Sequence, residues 1–163
     1  MTMRGRRLIT PGPMQSRPLE SFEAADLNPS ADELVIQVAA CGVCRTDLQL
    51  IEGDLAARRL PIVPGHQAVG TVTAVGAEVT GWQVGERAGV AWLAGTCGTC
   101  RFCLSGSENL CEAAEFTGWD RNGGYATQMR ARADFALRVP ADFGDLDAAP
   151  LLCGGVIGYR SLK

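Results

Sequence analysis

Four of the seven cysteines fall within the fifteen residues 97–111, C-G-T-C-R-F-C-L-S-G-S-E-N-L-C, at spacings of two, two and seven. Two tight C-x-x-C steps let one short loop turn its sulfurs toward a common point, and the longer arm brings Cys111 in from the other side. Four thiolates around one point are what a closed tetrahedral structural zinc site requires, so Cys97, Cys100, Cys103 and Cys111 are read as its ligands. Two alternatives compete. Disulfides need an oxidising compartment, and no export signal is apparent. The bacterial iron–sulfur pattern closes on three residues and then Cys-Pro, whereas here the last step is seven and Glu112 follows.

The lobe does not specify a function, so the rest of the chain has to. At 163 residues the chain suits one domain with a real core. Twenty glycines and eight prolines favour a turn-rich, mainly β architecture with short helices over a helix bundle. A net charge of −3 argues against nucleic-acid partners, which are held by clustered positive charge. No apolar run is long enough to span a membrane. Arg4, Arg6 and Arg7 are followed by Pro11-Gly12-Pro13 rather than an apolar stretch, so no signal peptide is read and the expected compartment is the cytoplasm.

Short strands are expected over 7–10, 33–40, 66–76, 84–92, 125–130 and 135–139, with 14–32 irregular. A short helix is expected over 45–52, where Leu48 and Ile51 stand three apart and Gly53 serves as the C-terminal cap. Gly70 permits a kink in its strand. Asp145 caps a helical turn, and a new helix runs over 151–163 with Cys153 in its first turn. Many short strands with glycine-rich turns indicate a small closed or partly open barrel. Lys163 has no capping signal after it, so the chain is expected to be cut within that helix.

Cys44, His66 and Cys153 are possible metal ligands outside the lobe; His66 is the single histidine. Each falls at an element boundary, where side chains converge on clefts, and a helix N-terminus favours a thiolate at Cys44 and Cys153. Two cysteines and one histidine leave a fourth tetrahedral position open, as in a catalytic zinc site. On local features alone, inert buried thiols and a satisfied histidine remain the alternative.

Four segments carry a resemblance: C-G-V-C-R-T-D-L (41–48), P-G-H-Q-A-V-G-T-V (64–72), the lobe, and A-A-P-L-L-C-G-G-V-I-G-Y-R-S-L-K (148–163). In order and spacing the chain resembles the zinc-dependent alcohol dehydrogenases of the medium-chain dehydrogenase/reductase family. The resemblance implies a GroES-like, partly open β-barrel over 1–163, with the structural zinc lobe at 95–112 and residues 151–163 beginning the helix that leads to a cofactor domain. It implies two zinc ions per chain, the catalytic one on Cys44, His66 and Cys153, and oxidation of a primary or secondary alcohol with NAD or NADP in the complete enzyme. A zinc ion there acts as a Lewis acid toward the alcohol or carbonyl oxygen.

By the same resemblance Thr46 matches the hydroxyl that relays the alcohol proton, Asp47 the carboxylate that orients the ligand histidine, Arg45 a contact to the cofactor pyrophosphate, and Trp92 an aromatic lining the substrate pocket. Trp119 matches less closely. Three positions depart from the family. Gln67 replaces the glutamate that follows the ligand histidine, Gln49 stands where a relay histidine often lies, and Ile157 replaces a threonine near the nicotinamide. The G-x-G-x-x-G loop that holds a dinucleotide does not occur in these residues: Gly123-Gly124 and Gly154-Gly155 lack the strand–loop–helix setting. The expected partners are a small alcohol or aldehyde, a cofactor domain and a second copy in a homo-oligomer. A stand-alone two-zinc module without catalysis is the competing reading.

Overall fold

A computed structural model describes residues 2–163; Met1 alone lies outside the described residues. The chain opens with an antiparallel pair, β1 (Thr2–Leu8) and β2 (Leu19–Ala25), in register from Thr2 opposite Ala25 to Leu8 opposite Leu19. This corrects two expectations. The first strand is Thr2–Leu8 rather than 7–10, and residues 19–25, expected to be irregular, form its partner. Leu-Glu-Ser-Phe-Glu-Ala-Ala has the polar character of a solvated strand and no apolar alternation, so backbone pairing with β1 decides its conformation.

Next come β3 (Glu33–Cys41), the helix α1 (Arg45–Glu52) and β4 (Ala68–Val75). They are followed by β5 (Arg87–Val90), β6 (Leu93–Gly95), α2 (Arg101–Leu104) and β7 (Glu115–Phe116). The chain closes with β8 (Gln128–Arg132), β9 (Ala136–Arg138), α3 (Asp145–Pro150), a π-helical turn (Leu151–Gly155) and α4 (Val156–Ser161). Strands β8-β3-β4-β5-β9, in that order, make an antiparallel sheet that curls into an open half-barrel. The expected strand at 125–130 starts later, at Gln128, because residues 122–126 are committed to the loop holding His66: Gly123, Gly124 and Tyr125 each donate a backbone N–H to residues 63–65.

Alternation explains the layers. Ile36 pairs with both Val72 and Met129, so three fully buried side chains lie abreast across β4, β3 and β8, each contributing about 1.5–3 kcal/mol by leaving water. On the other face of β4, Val69 packs against Ala148 and Ala149 of α3. This central strand is therefore buried on both sides, and the helix behind it is fixed to the sheet. β3 carries irregularities at Val35/Ile36 and at Val38/Ala40. Gly70 sits opposite the second, and a Cβ there would come 2.1 Å from the Gln37 carbonyl oxygen, so only glycine fits. Gly53, at φ 95°, ends α1 in the left-handed conformation expected of a C-terminal cap.

Candidate metal centres

The lobe leaves the sheet between β6 and β7. Cys100 precedes α2, and the backbone N–H groups of Cys100 and Cys97 donate to the sulfurs of Cys97 (3.3 Å) and Cys111 (3.5 Å). The sulfurs stand 3.9 Å (Cys97–Cys103), 3.5 Å (Cys100–Cys103) and 3.6 Å (Cys97–Cys111) apart. Four thiolates at the usual zinc–sulfur distance occupy tetrahedron corners about 3.8 Å apart, so the set fits zinc. The backbone N–H groups of Thr99 and Cys100 lower the Cys97 thiol to about 6 and the Thr96 hydroxyl lowers Cys103. At Cys111 the Cys97 N–H acts to lower the thiol, but burial and the neighbouring Cys97 and Cys103 raise it to about 11.

The second cluster is built from three distant joints. Cys44 caps α1, where β3 turns into the helix. His66 leads into β4 and is 1% exposed. Cys153 lies in the π-helical turn that α3 delivers to the sheet. The donor atoms of all three lie within 4.8 Å of one another, and the two sulfurs are 3.7 Å apart. This donor set fits zinc, with one coordination position left open.

Asp47 ties the three-segment site together, and its carboxylate is 3% exposed. Oδ2 accepts the Cys44 N–H at 2.9 Å; Oδ1 accepts the Gly65 N–H at 3.1 Å and lies 3.2 Å from His66 Nδ1. With Nδ1 engaged, Nε2 is the nitrogen free to ligate. Burial lowers the His66 pKa, but the hydrogen bond and charge of Asp47 outweigh it and the net shift is upward.

The two thiols differ. Burial acts to raise Cys44, but hydrogen bonds from the Thr46 backbone, Cys153 and His66 prevail and bring it below its ordinary value. Cys153 is pushed up to about 11, first by burial and then by Cys44. This corrects the expectation that Cys153 enjoys a helix N-terminus. The helical run begins at Asp145 and continues through Pro150 (φ −66°, ψ −20°), so Cys153 sits in its interior.

Among the other predicted site residues, Thr46 Oγ1 lies 3.9 Å from Cys44 Sγ. Gln67 is buried, with its carboxamide against Gly42. Arg45 is exposed and 3.8 Å from Asp54. Gln49 lies within α1, and Ile157 is exposed on α4. Trp92 meets the His66 ring edge-on at 4.9 Å and stacks with Phe116 (4.9 Å) and Trp119 (5.9 Å). Arg58 covers Trp119 at 3.8 Å. Phe116 and Arg58 had no sequence signal, because the wall is assembled by contacts between residues dozens of positions apart.

The model of the alcohol dehydrogenase GroES-like domain matches residues 30–141. The chain belongs to this family. The chain is 48% identical over 166 residues to "Probable alcohol dehydrogenase AdhA" of Mycobacterium tuberculosis, covering 99% of this chain and 48% of that protein. It is 42% identical to an alcohol dehydrogenase of Geobacillus stearothermophilus, over 90% of this chain and 44% of the relative. Among solved structures, a cinnamyl alcohol dehydrogenase of Sorghum bicolor superposes with a TM-score of 0.86 at 32% identity, covering 99% of this chain and 47% of that one. A cobalt- and zinc-bound thermostable alcohol dehydrogenase from Pyrobaculum aerophilum superposes with a TM-score of 0.86 at 31% identity, over 98% and 49%. The chain thus spans about half the length of the curated relatives it matches. No helix among the described residues is long and apolar enough to cross a membrane.

Proposed function

We propose that the chain is the catalytic part of a zinc-dependent alcohol dehydrogenase, which in the complete enzyme oxidises a primary or secondary alcohol to an aldehyde or ketone with NAD or NADP. The observation that carries this reading is the convergence of Cys44, His66 and Cys153 from three distant joints onto one point, with His66 held by Asp47. Zinc bound there supplies Lewis acidity toward an alcohol or carbonyl oxygen. The chain's own residues do the rest. Asp47 fixes the tautomer and orientation of His66. The Thr46 hydroxyl, beside Cys44, takes the alcohol proton and passes it outward. Trp92 forms one wall against the substrate. Gln67, neutral where the family resemblance implies a glutamate, leaves the site with one negative charge fewer. Arg45, exposed at the start of α1, contacts a cofactor phosphate in this reading.

In the same reading, residues 1–163 form one GroES-like catalytic domain, with the zinc lobe at 95–112 and the helical segment 151–163 leading toward a cofactor domain. The substrate is a small alcohol or aldehyde, with neither nucleic acid nor membrane as partner. The compartment is the cytoplasm, and the oligomer is built from copies of the complete chain. The names of several solved structures of similar fold include NADP or NADH. Elemental analysis of the chain tests the proposal. Two zinc ions are expected, one lost selectively in Cys153→Ser, and cobalt at that position should give the absorption of a tetrahedral thiolate site. A single zinc, lost on mutating Cys97, would refute the catalytic centre.

A further inference from the structure

The turn after β7 closes over a cavity of about 280 Å³, and none of Cys44, His66 or Cys153 lines it. Its lining includes three arginines, Arg59, Arg121 and Arg130, and the apolar side chains of half-buried Leu27 and Ala126 and buried Met3, Val63 and Met129. The charges do not balance. Arg121 pairs with Glu33 and, at 3.3 Å, with Glu115, and Arg130 is 3.6 Å from the same Glu33. Asp120 also borders the cavity, but its carboxylate is taken by Arg58, at 3.1 Å to each oxygen, and by the Phe116 N–H. Arg59 donates only to the Asp120 backbone carbonyl, at 3.4 Å, and has no carboxylate partner among the described residues. Two carboxylates therefore serve three guanidiniums, leaving one positive charge beside an apolar floor. The Arg121 pKa is correspondingly depressed, first by burial and then by the charge of Arg130.

We propose that this cavity binds a small organic monocarboxylate, received by Arg59 and Arg130, with its apolar stem against Leu27 and Ala126. Guanidinium groups recognise carboxylates through paired, charge-assisted hydrogen bonds. One surplus charge matches a monoanion, and the apolar floor selects a carbon stem over a bare inorganic anion. The volume lies just below the range of about 300–1,000 Å³ typical of drug-sized ligands, which sets the size of the stem. The site is independent of the alcohol chemistry proposed above.

Benzoate is a suitable probe, titrated into the zinc-loaded chain by calorimetry and followed by methyl chemical shifts, with benzyl alcohol and inorganic phosphate as comparators. Saturable benzoate binding that moves the Met129 methyl resonance, and weakens at least tenfold in Arg59→Gln, is the expected result. Arg59 makes no ion pair, so that variant should keep its melting temperature. Arg130→Gln, at a side chain 48% exposed, gives an independent second reading. The proposal is overturned by an absence of saturable binding, by equal binding of benzyl alcohol or phosphate at Met129, by benzoate shifts confined to the surroundings of His66 and Trp92, or by unchanged affinity in both variants.

Discussion

Replacing Asp47 by Asn separates its hydrogen-bonding role from its shape. The carboxylate receives the Cys44 N–H at 2.9 Å, the Gly65 N–H at 3.1 Å and the contact to His66 Nδ1 at 3.2 Å, all at 3% exposure. An asparagine of the same outline offers one acceptor oxygen. Placed toward Gly65 and His66, its amide nitrogen confronts the Cys44 N–H; reversed, it confronts the other two donors. In either orientation at least one buried N–H loses its acceptor and faces another donor. A hydrogen bond to a charged group contributes about 1.5–3 kcal/mol, and stranding its partner costs about 1–3 kcal/mol. Burying an amide in place of a carboxylate offsets part of this. We therefore expect a loss of about 3 kcal/mol in the metal-free chain, equivalent to a fall in Tm of about 6–12 °C for a chain this long. Urea denaturation of both proteins after chelation measures it without interference from zinc. In the loaded protein, affinity at the Cys44–His66–Cys153 site should also fall about 10–100-fold. A loss below about 1 kcal/mol in the metal-free state would refute the argument, because the three donors would then not depend on this carboxylate.

Chelation, or Cys97→Ser, should make residues 97–111 the first site of proteolysis while the sheet persists, since zinc-held folding is local to the lobe; uniform protection would contradict this. Gly123→Ala would place a Cβ 2.1 Å from the Gly65 carbonyl oxygen and 2.7 Å from that of Pro64, both backbone atoms that cannot yield. A loss of at least about 1–3 kcal/mol is expected in denaturant melts. Cys41, pushed by burial to about 12 from 9.0, stays a neutral thiol in the fold. Its stabilising effect is complete below pH 9 and declines as pH rises toward 12, because only the unfolded chain gains the thiolate over that window. Cys41→Ala should flatten this alkaline slope in denaturation midpoints measured from pH 8 to 11, and an unchanged slope would count against it.

What could be read from the sequence depended on whether the cause was local. The lobe was legible because its four ligands lie in one loop and their spacing is its geometry. α1 was legible because Leu48, Ile51 and Gly53 are signals within one helix. β2 was not, since its residues carry no apolar alternation and its partner is the first strand. The aromatic wall of Trp92, Phe116, Trp119 and Arg58 was half missed because stacking between distant segments leaves no periodicity. The three joints of the second cluster were each recognisable as element boundaries, but their convergence comes from α3 docking on Val69, a contact no local pattern encodes.

Pro150 shows how a sound local rule gave a wrong inference with a chemical consequence. Proline is favoured at the first position of a helix, which made Leu151 look like a start and Cys153 like a thiol aided by a helix dipole. In the fold the helix begins at Asp145 and the proline lies inside it. The missing N–H is accommodated by the π-helical turn over Leu151–Gly155, a distortion often found at functional sites. Burial then dominates and holds Cys153 at about 11, fully protonated at pH 8, while Cys44 lies below its ordinary value. Ligation requires both thiolates and a neutral His66, so metal uptake must expel the Cys153 proton together with whatever protons Cys44 and His66 carry. Calorimetric titration at pH 8, repeated in buffers of different ionisation enthalpy with the lobe already loaded, should count at least about one proton released per zinc. Cys153→Ser should abolish uptake at this position. A release of less than half a proton would mean that Cys153 is already a thiolate, and the account of its burial would fail.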